Sequence, residues 1–370
     1  MDILESKCIN NFKYIEKLRN GSNLLGFSGG SDSVALFYAL VAQDVAFDIA
    51  IVDYGVRAQS KSEVSYAKQL AKAHNKKCFV SLAPSFESNF ECLARNFRYE
   101  FFENLIHTHH YTHLILAHHF NDRFEWFLMQ LSKGVGMRNL LGFNGIEKRE
   151  GYEIIRPMLW ITKSEILRFC KECDLKFFID ESNTDERIAR NFIRAHFSDA
   201  FVQRFSAGLV RSFEILQEEK ELFFACENKD YGAFIVYAPT NEIQALDCID
   251  VYCKKMGYMI SSKQRKEILK RHFDCEIGGG KSNKKGFIIA KCNDKLIIAK
   301  QNHQCKPNQH NPNQSSLQSN LQAQSSPKLP NDFKDLMRQH KIPPRLRGVF
   351  YRYILAQNLS FVEFLRILSL

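Results

Sequence analysis

The sequence predicts an α/β fold built on a doubly wound parallel sheet. Between residues 21 and 143 short apolar runs alternate with stretches of helical periodicity, and three of the runs end in polar turns, at Ser28, Asp53 and His118. Folds of this kind bind ligands at the carboxyl ends of their strands, so the placing of the polar groups agrees with the alternation. A chain of 370 residues also has material for two or three domains, each with its own core.

Residues 24–27, 47–52, 77–82 and 114–117 read as strands, being short and mostly apolar between turn-forming segments. Residues 34–42, 62–74, 93–106 and 122–131 read as helices from the spacing of their apolar positions. A largely helical extension, periodic over 191–224, carries the first domain to residue 220. Residues 221–300 form a small mixed α/β domain, with a strand over 234–237, a helix over 263–272 and a hairpin over 286–300. The hairpin arms Phe287-Ile288-Ile289-Ala290 and Leu296-Ile297-Ile298-Ala299 flank the turn Asn293-Asp294. Gln, Asn, Ser and Pro dominate 301–330, which cannot bury a core and reads as a linker. A helix over 333–340, a Pro-Pro-Arg segment and an apolar tail make 331–370 a short C-terminal module, and the sequence has no internal repeat.

Lys and Arg exceed Asp and Glu by 51 to 41, a net charge of +10, which favours a polyanionic partner over a small acid once other signs agree. No apolar run is long enough to span a bilayer, and the first residues lack the pattern of a signal peptide, so the expected location is cytoplasmic. Eleven cysteines, odd in number and irregular in spacing, point to reduced thiols. Cys170 and Cys173 share an amphipathic stretch with Ile166 and Phe169, which gives the pair a structural role.

The chemistry begins at Ser28-Gly29-Gly30-Ser31-Asp32-Ser33, where an apolar strand turns into a helix. Gly29 and Gly30 let the backbone approach an anion, and Ser28, Ser31 and Ser33 add hydroxyls beside the amides of a helix start. The Lys-Ser/Thr ending of the Walker loop is absent, as is the Gly-x-Gly-x-x-Gly spacing of dinucleotide folds. This turn resembles the signature of the PP-loop ATP pyrophosphatases, which cut ATP between the α and β phosphates. On that resemblance ATP is the nucleotide. Asp32 would repel phosphate unless a cation lay between them, which makes it a ligand of Mg2+.

Asp53 and Tyr54 close the second strand and would line an adenosine pocket, although a plain turn explains them equally well. His118 and Asp122 fall at another strand end, where they can orient a substrate, hold metal or move a proton. His107, His109, His110 and His113 fit no metal spacing and read as surface residues. Arg190 and Arg194, four apart on a helix, present two guanidiniums to a phosphate.

Taken together the motifs resemble one branch of the PP-loop group, the tRNA(Ile)-lysidine synthetases. They follow that family's order: the serine-glycine turn, Val52 to Arg57, Ala94-Arg95-Asn96-Phe97-Arg98-Tyr99, Ala117-His118-His119 with Asp122, Arg156-Pro157, Asp180 with Ser182-Asn183, and Arg190-Asn191-Phe192-Ile193-Arg194. The likeness returns at Gly278-Gly279-Gly280 and at Lys341 to Arg347. It implies adenylation of the wobble cytidine in the CAU anticodon of tRNA(Ile), then displacement of AMP by free L-lysine. It also implies catalytic roles for Asp32, His118, Asp122 and Arg190, and phosphate or tRNA contacts for Arg95, Arg194, Arg345 and Arg347. A homodimer is compatible with it.

Asn121 and Arg123 depart from the family's usual Asp and Gln, Tyr54 from a His, Glu181 from a Pro and Arg345 from a Trp. Two other readings compete. A tRNA thiolase of the same group would need a reactive cysteine near the turn, and a non-catalytic tRNA-binding homologue would need no intact turn at all.

Overall fold

Leu25, Ile49, Ile51, Ile115 and Ile155 point to one side of a six-stranded sheet, and Leu24, Ala50, Leu114 and Ile154 to the other, all buried. This two-sided burial is why the strands read as continuous apolar runs. Each such leucine or isoleucine contributes roughly 1.5–3 kcal/mol through removal from water. The computed structural model describes residues 12–55, 58–86, 90–179, 185–278, 286–301 and 329–368. They fall into two units, Met1–Lys220 and Glu221–Leu370.

In the first unit the strands are β1 (Asn23–Gly26), β2 (Asp48–Asp53), β3 (Cys78–Leu82), β4 (His113–Ile115), β5 (Ile146–Lys148) and β6 (Glu153–Ile155), ordered β3-β2-β1-β4-β6-β5. The helices are α1 (Ile15–Arg19), α2 (Ser31–Ala42), α3 (Ala58–Ala73), α4 (Phe90–His109), α5 (Phe120–Ser132), α6 (Met137–Leu140), α7 (Lys163–Glu172), α8 (Ala189–Ile193) and α9 (Asp199–Phe224), with a π turn at Arg194–Ser198. Helices α2, α3 and α7 cover one face through Leu36, Leu70 and Phe169, and α4 covers the other through Phe102 and Ile106. The α/β doubly wound architecture is thus as expected. The sheet is mixed, however: β5 runs antiparallel to β6 while the other neighbours are parallel. A tight hairpin permits no other direction. The order of strands reverses between β1 and β4, so a crevice opens above their carboxyl ends.

His113 corrects the reading of four surface histidines. Its side chain is buried at the start of β4, where its Nδ1 pairs with Asn23 Oδ1 at 2.9 Å. Gly21 leaves the space, since a Cβ there would stand 2.2 Å from the ring. His107, His109 and His110 are exposed.

The second unit holds a five-stranded antiparallel sheet, β7 (Asn228–Asp230), β8 (Phe234–Tyr237), β9 (Cys275–Gly278), β10 (Gly286–Cys292) and β11 (Lys295–Lys300), in the order β7-β8-β11-β10-β9. Helices α10 (Glu242–Lys255) and α11 (Ser262–Lys270) pack with Ile235, Ile289 and Ile298 on one face. On the other, α12 (Asn331–Gln339), α13 (Pro344–Gln357) and α14 (Phe361–Leu368) pack with Phe234, Ile288 and Ile297. The C-terminal helices therefore share a core with the sheet, as its second covering layer. Among the described residues no helix is long and apolar enough to cross a membrane. Val56, Arg57, Asp180 to Thr184, Gly279, Gly280 and most of the expected linker lie outside the described residues.

Candidate active site

At the end of β1, Phe27 N still donates to Ala50 O of β2 at 2.9 Å, and the chain then turns through Ser28, Gly29 and Gly30 into α2. Gly29 has φ +78°, a conformation that side chains other than glycine rarely adopt. The serines shape the turn. Ser33 Oγ donates to Gly30 O at 3.0 Å and accepts from Ser28 N at 3.2 Å, and Ser28 Oγ lies 3.2 Å from Ser33 Oγ. Phe178 N clips the turn from outside by donating to Gly29 O at 3.0 Å. The first amides of α2 and the positive end of its dipole are thereby presented to an anion in the crevice.

Around this turn the fold gathers charges from α2, α5, α7, α8 and the π turn. Asp32, in the first turn of α2, accepts from Lys163 Nζ of α7 at 2.6 Å, and its other oxygen lies 3.6 Å from His119 Nε2. His119 precedes α5, and its ring also lies 3.5 Å from Asp122 Oδ2, while its backbone N donates to that oxygen at 3.0 Å. Asp122 in turn accepts from Arg190 Nη2. Glu125, one turn further along α5 and fully buried, accepts from Arg190 Nε and Arg194 Nε, both at 2.7 Å, and from Arg194 Nη2 at 3.1 Å. The spacing of four does bring the two guanidiniums to one face, and the face meets Glu125.

Burial opposes charge on every one of these groups, and the neighbours decide the outcome. For Asp32 burial raises the pKa, but His119 and Lys163 outweigh it and the carboxyl titrates below its usual range. Asp122 is likewise lowered, against burial, by His119 and Arg190. His119 is raised despite its burial because Asp122 and Asp32 flank it, which favours the protonated ring. His118 is the neutral one: burial pushes it down to about 3, with Asp122 pulling the other way. Its Nδ1 accepts from Arg156 Nε at 3.3 Å, which places the proton on Nε2. Arg156, buried, is itself held by Asn144 O and Glu147 Oε2, both at 2.9 Å.

Other expected residues are placed differently. Asp53 Oδ1 accepts from Gly55 N at 2.9 Å, as a residue ordering its own turn. Tyr54 is a partly buried phenol whose pKa burial raises, with Arg98 opposing. Arg95 is exposed and lies over the Tyr99 ring, 4.9 Å from its centroid, while Arg98 of the same helix acts electrostatically on both Tyr54 and His118. In the second unit Arg345 pairs with Asp274 and Glu276, each at 3.2 Å, and Arg347 Nε donates to Ile342 O at 3.0 Å.

Both departures in the His-His segment have structural work. Asn121 Oδ1 accepts from Lys163 N at 3.0 Å, and its Nδ2 donates to Asp199 Oδ1 at 3.2 Å, tying α5 to the starts of α7 and α9. Arg123 is fully buried, with Nε on Leu141 O at 3.0 Å, Nη2 on Gln217 Oε1 at 2.8 Å, and its plane over Trp160. Sequence reasoning did not single out His119, Glu125 or Lys163. An acid three residues after Asp122, facing an arginine pair, was the available signal for Glu125.

No group of three His, Cys, Asp or Glu side chains among the described residues could hold a metal. Asp32, with its side chain 31% exposed and its carboxyl ionised, still fits Mg2+, which commonly takes one or two carboxylates and completes its shell with phosphate oxygens and water. Cys170 lies beside the turn, its Sγ 3.6 Å from Ser31 O, but burial pushes that thiol up to about 11. A protonated, buried thiol is a poor sulfur nucleophile.

Residues 4–200 match the PP-loop domain family. A tRNA(Ile)-lysidine synthase of Helicobacter pylori strain J99 is 42% identical over 344 residues, covering 93% of this chain and 93% of the relative. One from Campylobacter jejuni strain RM1221 is 42% identical over 345 residues, covering 93% of this chain and 97% of the relative. Among solved structures, a U34-tRNA thiolase of Methanococcus maripaludis aligns over 58% of this chain and 80% of its own at a TM-score of 0.47 and 15% identity, too distant to bear on activity.

Proposed function

The chain belongs to the tRNA(Ile)-lysidine synthase family, ATP-dependent ligases acting on tRNA(Ile) and lysine, and we propose how its own residues carry out that reaction. The 2-carbonyl oxygen of the wobble cytidine attacks the α-phosphorus of ATP, the α–β bond breaks and pyrophosphate leaves. The lysine ammonium gives up a proton to solvent, its neutral amino group then adds to the activated carbon, and the carbon–oxygen bond to AMP breaks with its electron pair leaving on AMP. One observation supports this reading above the rest: the phosphate turn and the cluster of Asp122, Glu125, Arg190 and Arg194 meet through Asp32 and His119 at the switch point of the sheet.

The first amides of α2 bind the phosphate chain. Mg2+, held by Asp32 and the nucleotide, would neutralise charge on that chain. Arg190 has a side chain 40% exposed despite its bonds to Asp122 and Glu125, so one edge of a fixed guanidinium is left to meet the α-phosphate. His118, neutral and with its proton on Nε2, donates to an oxygen of the bound base. Asp122, ionised, receives the lysine ammonium. In the second unit Arg347 and Arg345 are proposed phosphate contacts, and Arg345 reaches RNA by exchanging Asp274 and Glu276.

The test is a reaction with Mg2+, ATP, labelled lysine and a transcript carrying the CAU anticodon. Equal yields of AMP, pyrophosphate and labelled tRNA are expected. Turnover that ignores lysine would sink the assignment, and sulfur incorporation would transfer it to the thiolase reading.

A further inference from the structure

The turn after β1 lacks the lysine that ends a Walker loop, yet an ammonium stands inside it. Lys163 Nζ, from the first residue of α7, donates to Asp32 Oδ1 at 2.6 Å and to Ser31 Oγ at 2.8 Å. Both partners belong to the first turn of α2, where the phosphate chain is bound on the reading above. An ammonium has three donors and these contacts use two, so the third N–H is available to an anion seated on the turn.

The backbone from which this side chain reaches is fixed from several sides. Thr162 caps α7, with Thr162 N donating to Glu165 Oε2 at 2.8 Å and Glu165 N to Thr162 Oγ1 at 3.3 Å. Lys163 N is bound by Asn121, and Asn121 by Asp199. An Asp at position 121 would set its carboxylate against Asp199, so asparagine suits this chain: it accepts from Lys163 on one side and donates to Asp199 on the other.

We propose that Lys163 is a catalytic residue that binds the β- and γ-phosphoryl oxygens of ATP, and that Asn121 is the positioning residue that holds it there. The proposal rests on the cleavage of ATP between the α and β phosphates argued above. As the bond from the cytidine oxygen to the α-phosphorus forms, the α-phosphorus to bridging-oxygen bond breaks and its electron pair goes to pyrophosphate. Lys163 keeps its proton throughout and donates hydrogen bonds to the oxygens on which that charge accumulates.

The discriminating measurement is calorimetric binding, without tRNA or lysine, of α,β-methylene-ATP, pyrophosphate and AMP to the full chain. Lys163→Met should weaken the first two by about tenfold to a hundredfold, the range of a lost charge-assisted hydrogen bond, and leave AMP within about twofold. Lys163→Arg should restore much of the binding. Asn121→Ala should shift the same two ligands by less, and the double variant should bind them no more weakly than Lys163→Met alone. Equal loss of AMP and the ATP analogue in folded Lys163→Met would mean that the residue only maintains structure, and no loss would also overturn the proposal. If Lys163→Met fails to fold, Lys163→Gln carries the same comparison. The assay separates this idea from the assignment of the reaction: wild-type protein that binds the analogue through Lys163 but forms no lysidine would refute the latter alone.

Discussion

The two sheets of this chain are built from the same kind of strand and put to different ends. Both bury apolar side chains on each face, yet among the described residues charged groups converge above the parallel strands of the first unit and not above the antiparallel sheet of the second. Parallel strands point their carboxyl ends one way, so the loops after β1 and β4 open into one crevice. Antiparallel neighbours send successive ends to opposite sides. In the second unit Arg345 instead bridges two partly exposed acids, Asp274 and Glu276.

That contrast is most exposed to failure at Glu125. Glu125→Ala removes the anion that faces Arg190 and Arg194, and should cost about 3 kcal/mol in denaturant unfolding while abolishing lysidine formation. A variant of normal stability and activity would show that the cluster is incidental to both. Next comes Asp32→Ala, for which pyrophosphate release should stop while tRNA affinity measured by filter binding stays nearly intact. Turnover at the wild-type rate would remove the metal role.

A subtler effect separates the two adjacent histidines by pH. His118 has a folded pKa near 3, far below the 6.5 of an unfolded histidine, so the unfolded chain binds the extra proton between those values. Its contribution is present above pH 6.5 and is lost as pH falls toward 3, by at most about 1.4 kcal/mol per unit. His119 is shifted upward, so its contribution is full below the unfolded pKa and is lost as pH rises through the folded one. Stability profiles of His118→Gln should therefore flatten below pH 6.5, and those of His119→Gln should change on the alkaline side. Identical profiles would cancel the opposite shifts of the two rings. Smallest of all, Arg345→Ala should alter unfolding by no more than about 1 kcal/mol, because its ion pairs are partly exposed. A salt-dependent loss of tRNA affinity in that variant would give the second unit a share in binding.

Much of this molecule was legible in the sequence, for reasons that also explain the gaps. Strands at 24–27 and 47–52 and helices such as 34–42 have strong periodicity, and the structure places them within a few residues. The hairpin of β5 and β6 went unread because its three-residue strands carry Glu147, Lys148 and Glu153, which leave no apolar run of the kind that marks β4. The C-terminal helices looked like a separate module because their apolar faces do not declare which sheet they cover. In the site, contiguous signals such as Ser28 to Ser33 and the Arg190, Arg194 pair were readable. Lys163 was not, because its meeting with Asp32 spans 131 residues and depends on the packing of α7 beside α2. His119 was hidden by its neighbour, since nothing in adjacent histidines tells which ring the backbone turns toward two carboxylates.

Gly29 sets a limit on how this centre can vary. A Cβ at that position would stand 3.3 Å from atoms of both Glu63 and Phe178, on a backbone with φ +78°. Tolerance to substitution in the nucleotide-binding bend is therefore governed by its walls as much as by its ligand. A side chain at Gly29 would have to adopt a strained backbone and push Glu63 and Phe178 aside by a few tenths of an ångström.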